Sequence, residues 1–111
     1  MIFSSVNEEK TPAYFLVDMG TKTVTRRRKF ISSGAIRSVQ PNRTKKGICK
    51  IKVLSVIREN YVGESVPENQ KEKEALREGF KTWGGLKEWF KQKYGTANIP
   101  VYRIEFEKVK T

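Results

Sequence analysis

The sequence predicts a small α+β domain, a mixed β-barrel with about three flanking helices. Its 111 residues and 37% hydrophobic content suffice for one core only, so we expect residues 1–111 to form a single domain. The order of strand-like and helical segments fits neither a doubly wound sheet nor a helical bundle. Closing the sheet into a barrel would also remove the exposed edges of a basic, β-rich chain.

The first half of the chain is predicted to contain one helix between strands. The apolar start "IFSS" is typical of a short strand. Thr11 and Pro12 suit a helix start and Gly20 suits its end, so we expect a helix from Pro12 to Met19. The β-branched, basic run "KTVTRRRKF" predicts a strand at the rim of a cleft. The run "AIRSVQP" predicts another strand, which Pro41 ends.

The second half begins with the clearest strand, because "ICKIKVLSVI" alternates apolar and basic residues at its start. The helix formers of "PENQKEKEALREGF" predict a helix that stops at Gly79. In "TWGGLKEWFKQKYG", Trp83, Leu86 and Phe90 form an apolar helical stripe that we assign to the core, with Trp89 beside it and able to reach a surface. The alternating "VYRIEFEKV" predicts a closing strand, with most of its acidic and basic residues on one face.

The balance of charge points to a polyanionic partner. Lys and Arg number 23 against 12 Asp and Glu, a net charge of +11, and nucleic acid is the partner that this excess favours most. No run approaches the roughly 20 apolar residues of a membrane-spanning helix, and no segment pairs a basic face with a broad apolar one. We therefore expect no membrane contact and a cytoplasmic protein, with a monomer as the favoured state.

The scarcity of cysteine and histidine excludes several chemistries. Cys49 is the only cysteine and there is no histidine, which rules out an intrachain disulfide and histidine-based catalysis and leaves a conventional zinc site almost no ligands. We expect no metal and no cofactor. A general base would have to be Asp, Glu, Lys, Tyr or water. Cys49 alternates with basic residues in a strand-like run and is interpreted as a small core residue rather than a nucleophile.

The segment "GTKTVTRRRK", residues 20–29, combines five basic residues with three threonines. In a regular strand Thr25 and Arg27 share one face and Lys22 takes the other, so Lys22 and Thr25 meet at one site only if the chain bends. Gly20, just before Lys22, is suited to such a bend. The alternative is a solvated basic strand that binds phosphates without specificity.

The spacing of residues in this segment resembles the motif of a known family. Gly20, Lys22, Thr25 and Arg27 match the spacing G-x-K-x-x-T-x-R of the ASCH domain, a relative of the PUA RNA-binding fold. The segment "EALREGF", with Glu78 at its acidic position, resembles the family's helix that ends in an acidic residue, Gly and an aromatic. The strand-like runs after Val39 resemble the family's barrel strands, so the similarity covers about residues 12–109. Two departures concern the substrate: "SSGAI" replaces the frequent Gly-Asp pair, and the helix before Glu78 is longer and more charged.

The resemblance implies a PUA-like barrel with a basic cleft that binds RNA or a modified nucleoside. One bacterial branch of the family hydrolyses acetylcytidine with a lysine, a threonine and a glutamate. By that similarity Thr25 is the nucleophile, Lys22 the base that activates it, and Glu78 the group that orients or shuttles protons. Such a lysine needs a pKa several units below about 10.4; Arg26 and Arg27 would lower it and Glu78 would raise it.

Three alternatives remain beside RNA or nucleoside binding. The protein could be an amidohydrolase for acetylcytidine-type nucleosides or a ribonuclease, and Lys22 and Glu78 could simply form an ion pair between a helix and the barrel. The residues that we predict to bind ligand are mostly cations that suit phosphate oxygens or exposed bases. They are Gly20, Lys22, Arg26, Arg27, Arg28, Arg43, Lys45 and Lys46.

Overall fold

A computed structural model of the protein describes residues 1–110. From the first helix onward, its regular elements follow the predicted order along the chain. They are α1 (Ala13–Asp18), β1 (Val24–Arg27), β2 (Ile36–Val39), β3 (Cys49–Glu59), a 3-10 turn (Glu68–Gln70), α2 (Lys71–Arg77), α3 (Trp83–Tyr94) and β4 (Val101–Lys108). The three predicted helices are therefore confirmed. None of the helices in residues 1–110 has the length and apolar character that crossing a bilayer requires.

The four strands form one antiparallel sheet in the order β1-β4-β3-β2. The predicted closure into a barrel is wrong, because β1 and β2 remain the two edges of an open sheet. Both edge strands have only four residues, and four strands supply too little sheet to curl back on itself. The predicted first strand is also reduced to a single bridge, in which Ile2 pairs with Gln40 beyond the end of β2.

Two clusters of buried apolar side chains lie on opposite sides of the sheet in residues 1–110, and Val24, Val53 and Ile104 are buried within its strands. One packs α2 and α3 against the start of β4 through Ala75, Leu86, Phe90 and Val101. The other packs α1 and the N-terminal segment against β2, β3 and β4; its members are Phe3, Ala13, Val17, Val39, Ile51 and Phe106. Cys49 is half-buried beside this second cluster, as expected of a small core residue.

The helix ends follow the sequence signals only in part, because Pro12 rather than Thr11 is the N-cap of α1 and no side chain caps it. The Thr82 side chain accepts a hydrogen bond from the Gly85 amide at the start of α3, and Gly95 closes that helix with a φ of 82°. Gly79 has a φ of 91° immediately after Glu78, the C-cap of α2. This left-handed turn sends the chain away from α2 and leaves Glu78 beside β1.

The alternation of β4 is not the simple one that the sequence predicts. Arg103 is buried although it belongs to the face with most of the acidic and basic residues, and Ile104 on the opposite face is buried as well. A register irregularity between Val53 and Ser55 of β3 interrupts the regular pairing with β4. Both faces of the sheet are covered at β4. The face that bears most of its charged residues is therefore buried in part as well, and Arg103 is buried with it.

Candidate functional site

A polar hollow lies beside β1, an edge strand of the open sheet. Its volume is about 350 Å³, within the usual range for small-molecule sites. Five parts of the chain meet there: the N-terminal segment, Lys22 with β1, the connection between β2 and β3, the end of α2 with Phe80 after it, and the second half of α3. The lining residues are Ile2, Phe3, Ser4, Ser5, Lys22, Thr25, Arg26, Arg27, Asn42, Arg43, Glu78, Phe80, Trp89, Lys93 and Tyr94. We refer to this hollow as the cavity.

The structure brings Lys22, Thr25, Arg27 and Glu78 together in the wall of this one cavity. Because β1 begins only at Val24, Lys22 lies before the strand and is not bound by its alternation. Thr25 and Arg27 do share a face of β1, as predicted. The four residues on which the family resemblance depends therefore border the same space.

Lys22 is buried with 4% of its surface exposed, and its amino group donates to two backbone carbonyls. The acceptors are Val24 O at 2.9 Å and Glu78 O at 2.6 Å. Burial lowers the pKa of Lys22 to about 8; Glu78 opposes this effect, while Arg27 and Arg26 add to it. A neutral amine has two N–H groups, which the two carbonyls can accept, and it keeps a lone pair that can take a proton.

Thr25 is buried to 95%, yet its hydroxyl makes no hydrogen bond to another group of residues 1–110. Every fully enclosed side-chain oxygen or nitrogen in that part of the chain has a hydrogen-bond partner. Because the Thr25 hydroxyl has none, it must be in contact with open space. Thr25 lines the cavity, so that space is the cavity. Glu78 offers one carboxylate oxygen in the same way. Its Oε2 accepts from Arg26 at 2.6 Å, whereas Oε1 accepts no hydrogen bond within residues 1–110.

Arg26 has a structural role that differs from the RNA contact expected of it. Its side chain has no exposed surface and its three nitrogens all donate to carboxylates. Nε donates to Glu59 at 2.7 Å, Nη1 to Glu78 at 2.6 Å and Nη2 to Glu74 at 2.8 Å. Burial favours the neutral form, but the surrounding carboxylates outweigh it and raise the pKa of Arg26. Its charge is therefore neutralised inside the protein.

Glu59, Glu74 and Arg103 complete this buried network, and no sequence pattern pointed to them. Arg103 donates to Glu74 through Nε at 2.6 Å and Nη2 at 3.0 Å. Glu59 also accepts from the Ser65 hydroxyl at 2.6 Å. Burial raises the pKa of Glu59, but its hydrogen bonds from Arg26 and Ser65 outweigh that effect and hold the pKa below its usual value. The network fixes Arg26, and Arg26 in turn fixes Glu78.

Lys22 and Glu78 do not form the direct ion pair that was one alternative. Within residues 1–110 their only hydrogen bond runs from the Lys22 amino group to the Glu78 backbone carbonyl. The Glu78 carboxylate pairs with Arg26 instead. Arg27 faces the cavity differently from Arg26: Nη2 donates to Ile2 O at 2.7 Å, and its guanidinium lies 4.7 Å from the centre of the Phe3 ring. Burial lowers the pKa of Arg27.

The remaining ligand-binding predictions divide into one residue inside the cavity and four outside its lining. Arg43 lines it, whereas Gly20, Arg28, Lys45 and Lys46 are exposed elsewhere. Gly20 has a φ of 82° with open space around it, so it turns the chain after α1 and does not approach the cavity. In the described range 1–110, no three acidic, cysteine or histidine side chains cluster as metal ligands.

Sequence reasoning missed the aromatic wall of the cavity, which α3 provides. Trp89 and Tyr94 line it, and their ring centres are 6.5 Å apart. The amino group of Lys93 lies 4.9 Å from the Trp89 ring centre and 5.5 Å from that of Tyr94. The position of Trp89 beside the apolar stripe was the only signal, and it did not reveal which surface the ring would reach.

No family model and no curated protein matches the sequence, but two solved structures match the fold. A crystal structure of an ASCH domain from Lactobacillus crispatus JV V101 superimposes with a TM-score of 0.65. The two proteins have 19% sequence identity, and the match covers 86% of this chain and 69% of that one. The chain has the ASCH-domain fold. Protein EF3133 from Enterococcus faecalis V583, of the family DUF984, matches the same ASCH fold with a TM-score of 0.62, 18% identity, and coverage of 87% and 69%.

Proposed function

We propose that the cavity binds a nucleoside unit, either free or within a single strand of RNA. The observation that carries this proposal is the composition of one cavity wall. The cavity of about 350 Å³ is lined by three kinds of group. They are aromatic rings, cations without an acidic partner within residues 1–110, and buried polar groups that can still form hydrogen bonds. A nucleotide needs all three, because it presents a flat base, a polar base edge and an anionic phosphate.

The aromatic wall supports base stacking. Trp89 and Tyr94 belong to α3, whose Leu86 and Phe90 are anchored in the core. Their rings are therefore presented by a rigid element. Stacking on such a ring contributes about 1–3 kcal/mol per base and tolerates any base, since every base has a π face.

Two polar residues of the cavity, Thr25 and Glu78, support recognition of a base edge or a ribose. The Thr25 hydroxyl can donate or accept, and Glu78 Oε1 can accept from an amino or hydroxyl group. Because Arg26 holds the other Glu78 oxygen, the carboxylate does not need to reorganise when a ligand arrives. These groups favour a ligand with both donors and acceptors over a simple anion.

Besides Lys22, whose amino group donates to two backbone carbonyls, three cations line the cavity and support phosphate binding, namely Arg27, Arg43 and Lys93. Arg26 is not counted because its charge is neutralised by buried carboxylates. For single strands each neutralised phosphate changes the logarithm of the affinity by about 0.7 per decade of salt. Three contacts predict a slope of about 2, or roughly a twentyfold loss of affinity between 50 and 200 mM salt. An uncharged nucleoside should show almost no salt dependence.

Tryptophan fluorescence tests the proposal directly. Trp89 lines the cavity, whereas Trp83 borders a different, shallow groove. Uridine, cytidine and short single-stranded RNA should quench the wild-type emission by stacking on Trp89. The quenching should persist in Trp83→Phe, the matched control, and disappear in Trp89→Phe. Quenching that survives in Trp89→Phe, or no saturable binding of any nucleoside or RNA, would refute the cavity as the site.

A second candidate function is hydrolysis of an N-acylated nucleoside, and the environment of Lys22 and Thr25 favours it. An amine with a pKa of about 8 is substantially neutral in mildly alkaline solution and can accept the proton of a hydroxyl. Thr25 Oγ would attack the acyl carbon while Lys22 accepts its proton. The same proton would then pass to the leaving amine as the C–N bond breaks, and water would release the acyl group from Thr25.

Turnover of acetylcytidine by purified variants tests this second function. Thr25→Ala should abolish release of acetate, while Thr25→Ser should retain measurable turnover because it keeps the hydroxyl. The affinity of Thr25→Ala for cytidine, measured by Trp89 quenching, should fall by no more than about tenfold, since only one hydrogen-bonding hydroxyl is lost. Unchanged turnover in Thr25→Ala would eliminate the mechanism and leave the binding proposal intact.

A further inference from the structure

We propose that a second nucleotide of a bound RNA strand stacks on an aromatic platform outside the cavity, formed by Phe30 and Tyr102. This inference rests on the proposed function, because it takes the cavity to hold the neighbouring nucleotide. It makes the preferred partner a single-stranded polynucleotide rather than a free nucleoside.

Phe30 is the feature that the fold leaves unexplained. It is 64% exposed, more than any other large hydrophobic side chain in residues 1–110. Its ring packs edge-to-face on Tyr102, with ring centres 5.6 Å apart and planes at 72°. This geometry orients Phe30 against β4 while most of its surface stays in contact with water. An oriented, exposed aromatic ring is the element on which bases of single strands stack.

Cations surround the platform and make a nucleic acid a better occupant than an apolar protein surface. Arg28 and Lys29 precede Phe30 in the chain, and Arg58 of β3 is the cross-strand partner of Tyr102. All three are exposed. Within residues 1–110 none of them forms a salt bridge, and the only acidic neighbour of Arg58 in sequence, Glu59, is buried against Arg26. The charge is therefore uncompensated beside the rings.

The platform continues directly from the cavity along the chain. Thr25 and Arg27 line the cavity and Phe30 follows three residues later, so the two positions are separated by at most roughly 10 Å. Arg27 is also the cross-strand partner of Tyr102. Adjacent nucleotides of an extended strand can span this separation. One base in the cavity and the next on Phe30 would place the phosphate between them near Arg27 and Arg28.

Binding of uridine, a uridine dinucleotide and a uridine octamer to wild type and variants tests the platform. Phe30→Ala should weaken octamer binding about 5- to 150-fold, the loss of one stacked base, and leave uridine affinity within twofold. Its matched control is Phe15→Ala, which removes a 48% exposed ring from α1. Arg28→Ala with Lys29→Ala should reduce the octamer salt slope by about 1.4, whereas Lys73→Ala on α2 should not change it.

The outcomes separate this inference from the proposed function. Uridine binding with octamer affinity equal in wild type and Phe30→Ala would overturn the platform and keep the cavity. Octamer binding that depends on Phe30 without any uridine binding would support the platform and count against the cavity. Absence of binding to both ligands would overturn both. Unchanged octamer affinity together with reduced self-association of Phe30→Ala would show that this surface contacts protein, and would overturn the platform.

Discussion

Lys22 allows a quantitative prediction of how stability changes with pH. Its amino group is buried and its pKa is about 8, against 10.5 for the same group in water. The lysine is protonated in both folded and unfolded states at neutral pH, and the folded state then bears the cost of the buried charge. A pKa difference of this size corresponds to roughly 3 kcal/mol. The cost should be relieved as the amine loses its proton.

The sign of the effect follows from proton counting. Between about pH 8 and pH 10.5 the unfolded chain binds more protons at Lys22 than the folded protein does. The free energy of unfolding therefore rises with pH across this window, and below about pH 8 the contribution is constant. From near pH 7 to near pH 10, Lys22 alone should add about 2–3 kcal/mol.

Urea denaturation of wild type and Lys22→Met, each near pH 7 and near pH 10, isolates the contribution of Lys22 to the free energy of unfolding. Other lysines and tyrosines titrate in both proteins and cancel in the difference. Wild type should gain about 2–3 kcal/mol more than the variant, although the variant loses the hydrogen bonds to Val24 O and Glu78 O at both pH values. A gain below about 0.5 kcal/mol, or one of opposite sign, would refute a depressed pKa and with it the role of Lys22 as a base.

Two further predictions concern the scaffold of the site. Arg26→Met should lower the free energy of unfolding by about 3–5 kcal/mol, because it leaves buried carboxylates without their cation. The control Arg77→Met breaks a half-exposed ion pair and should cost at most about 1 kcal/mol, so equal losses in denaturation would contradict the network. Gly63→Ala should cost about 2–3 kcal/mol, since its φ is 93° and the new methyl would lie 2.3 Å from the Trp83 ring. Gly34→Ala, at a φ of 86° in open space, should cost only about 1 kcal/mol; a similar loss at both positions would exclude the clash.

Local patterns predicted the helices and strands because their signals lie within a few residues. The helix predicted from Pro12 to Met19 is α1, and the stripe of Leu86 and Phe90 is buried in α3. The same reasoning failed at the first strand, where "IFSS" makes only one bridge. Whether an apolar segment pairs depends on the partner edge that the rest of the sheet offers, and this also explains why the predicted barrel stays open.

The candidate site was predicted only in part for a related reason. The motif spacing pointed to Lys22, Thr25, Arg27 and Glu78, which line one cavity. Nothing in "TRRRK" distinguishes its arginines, yet their environments differ. Arg27 faces the cavity and Arg28 faces solvent.

The sequence by itself determined the order of the elements, the excess of positive charge and the absence of histidine chemistry. Tertiary structure alone decided which of those charges remain available to a ligand. Arg26 is neutralised by Glu59 and Glu78, which are 33 and 52 residues away along the chain. The strength of a charge depends on burial and on partners within a few ångströms, and the fold brings such partners together from distant parts of the sequence.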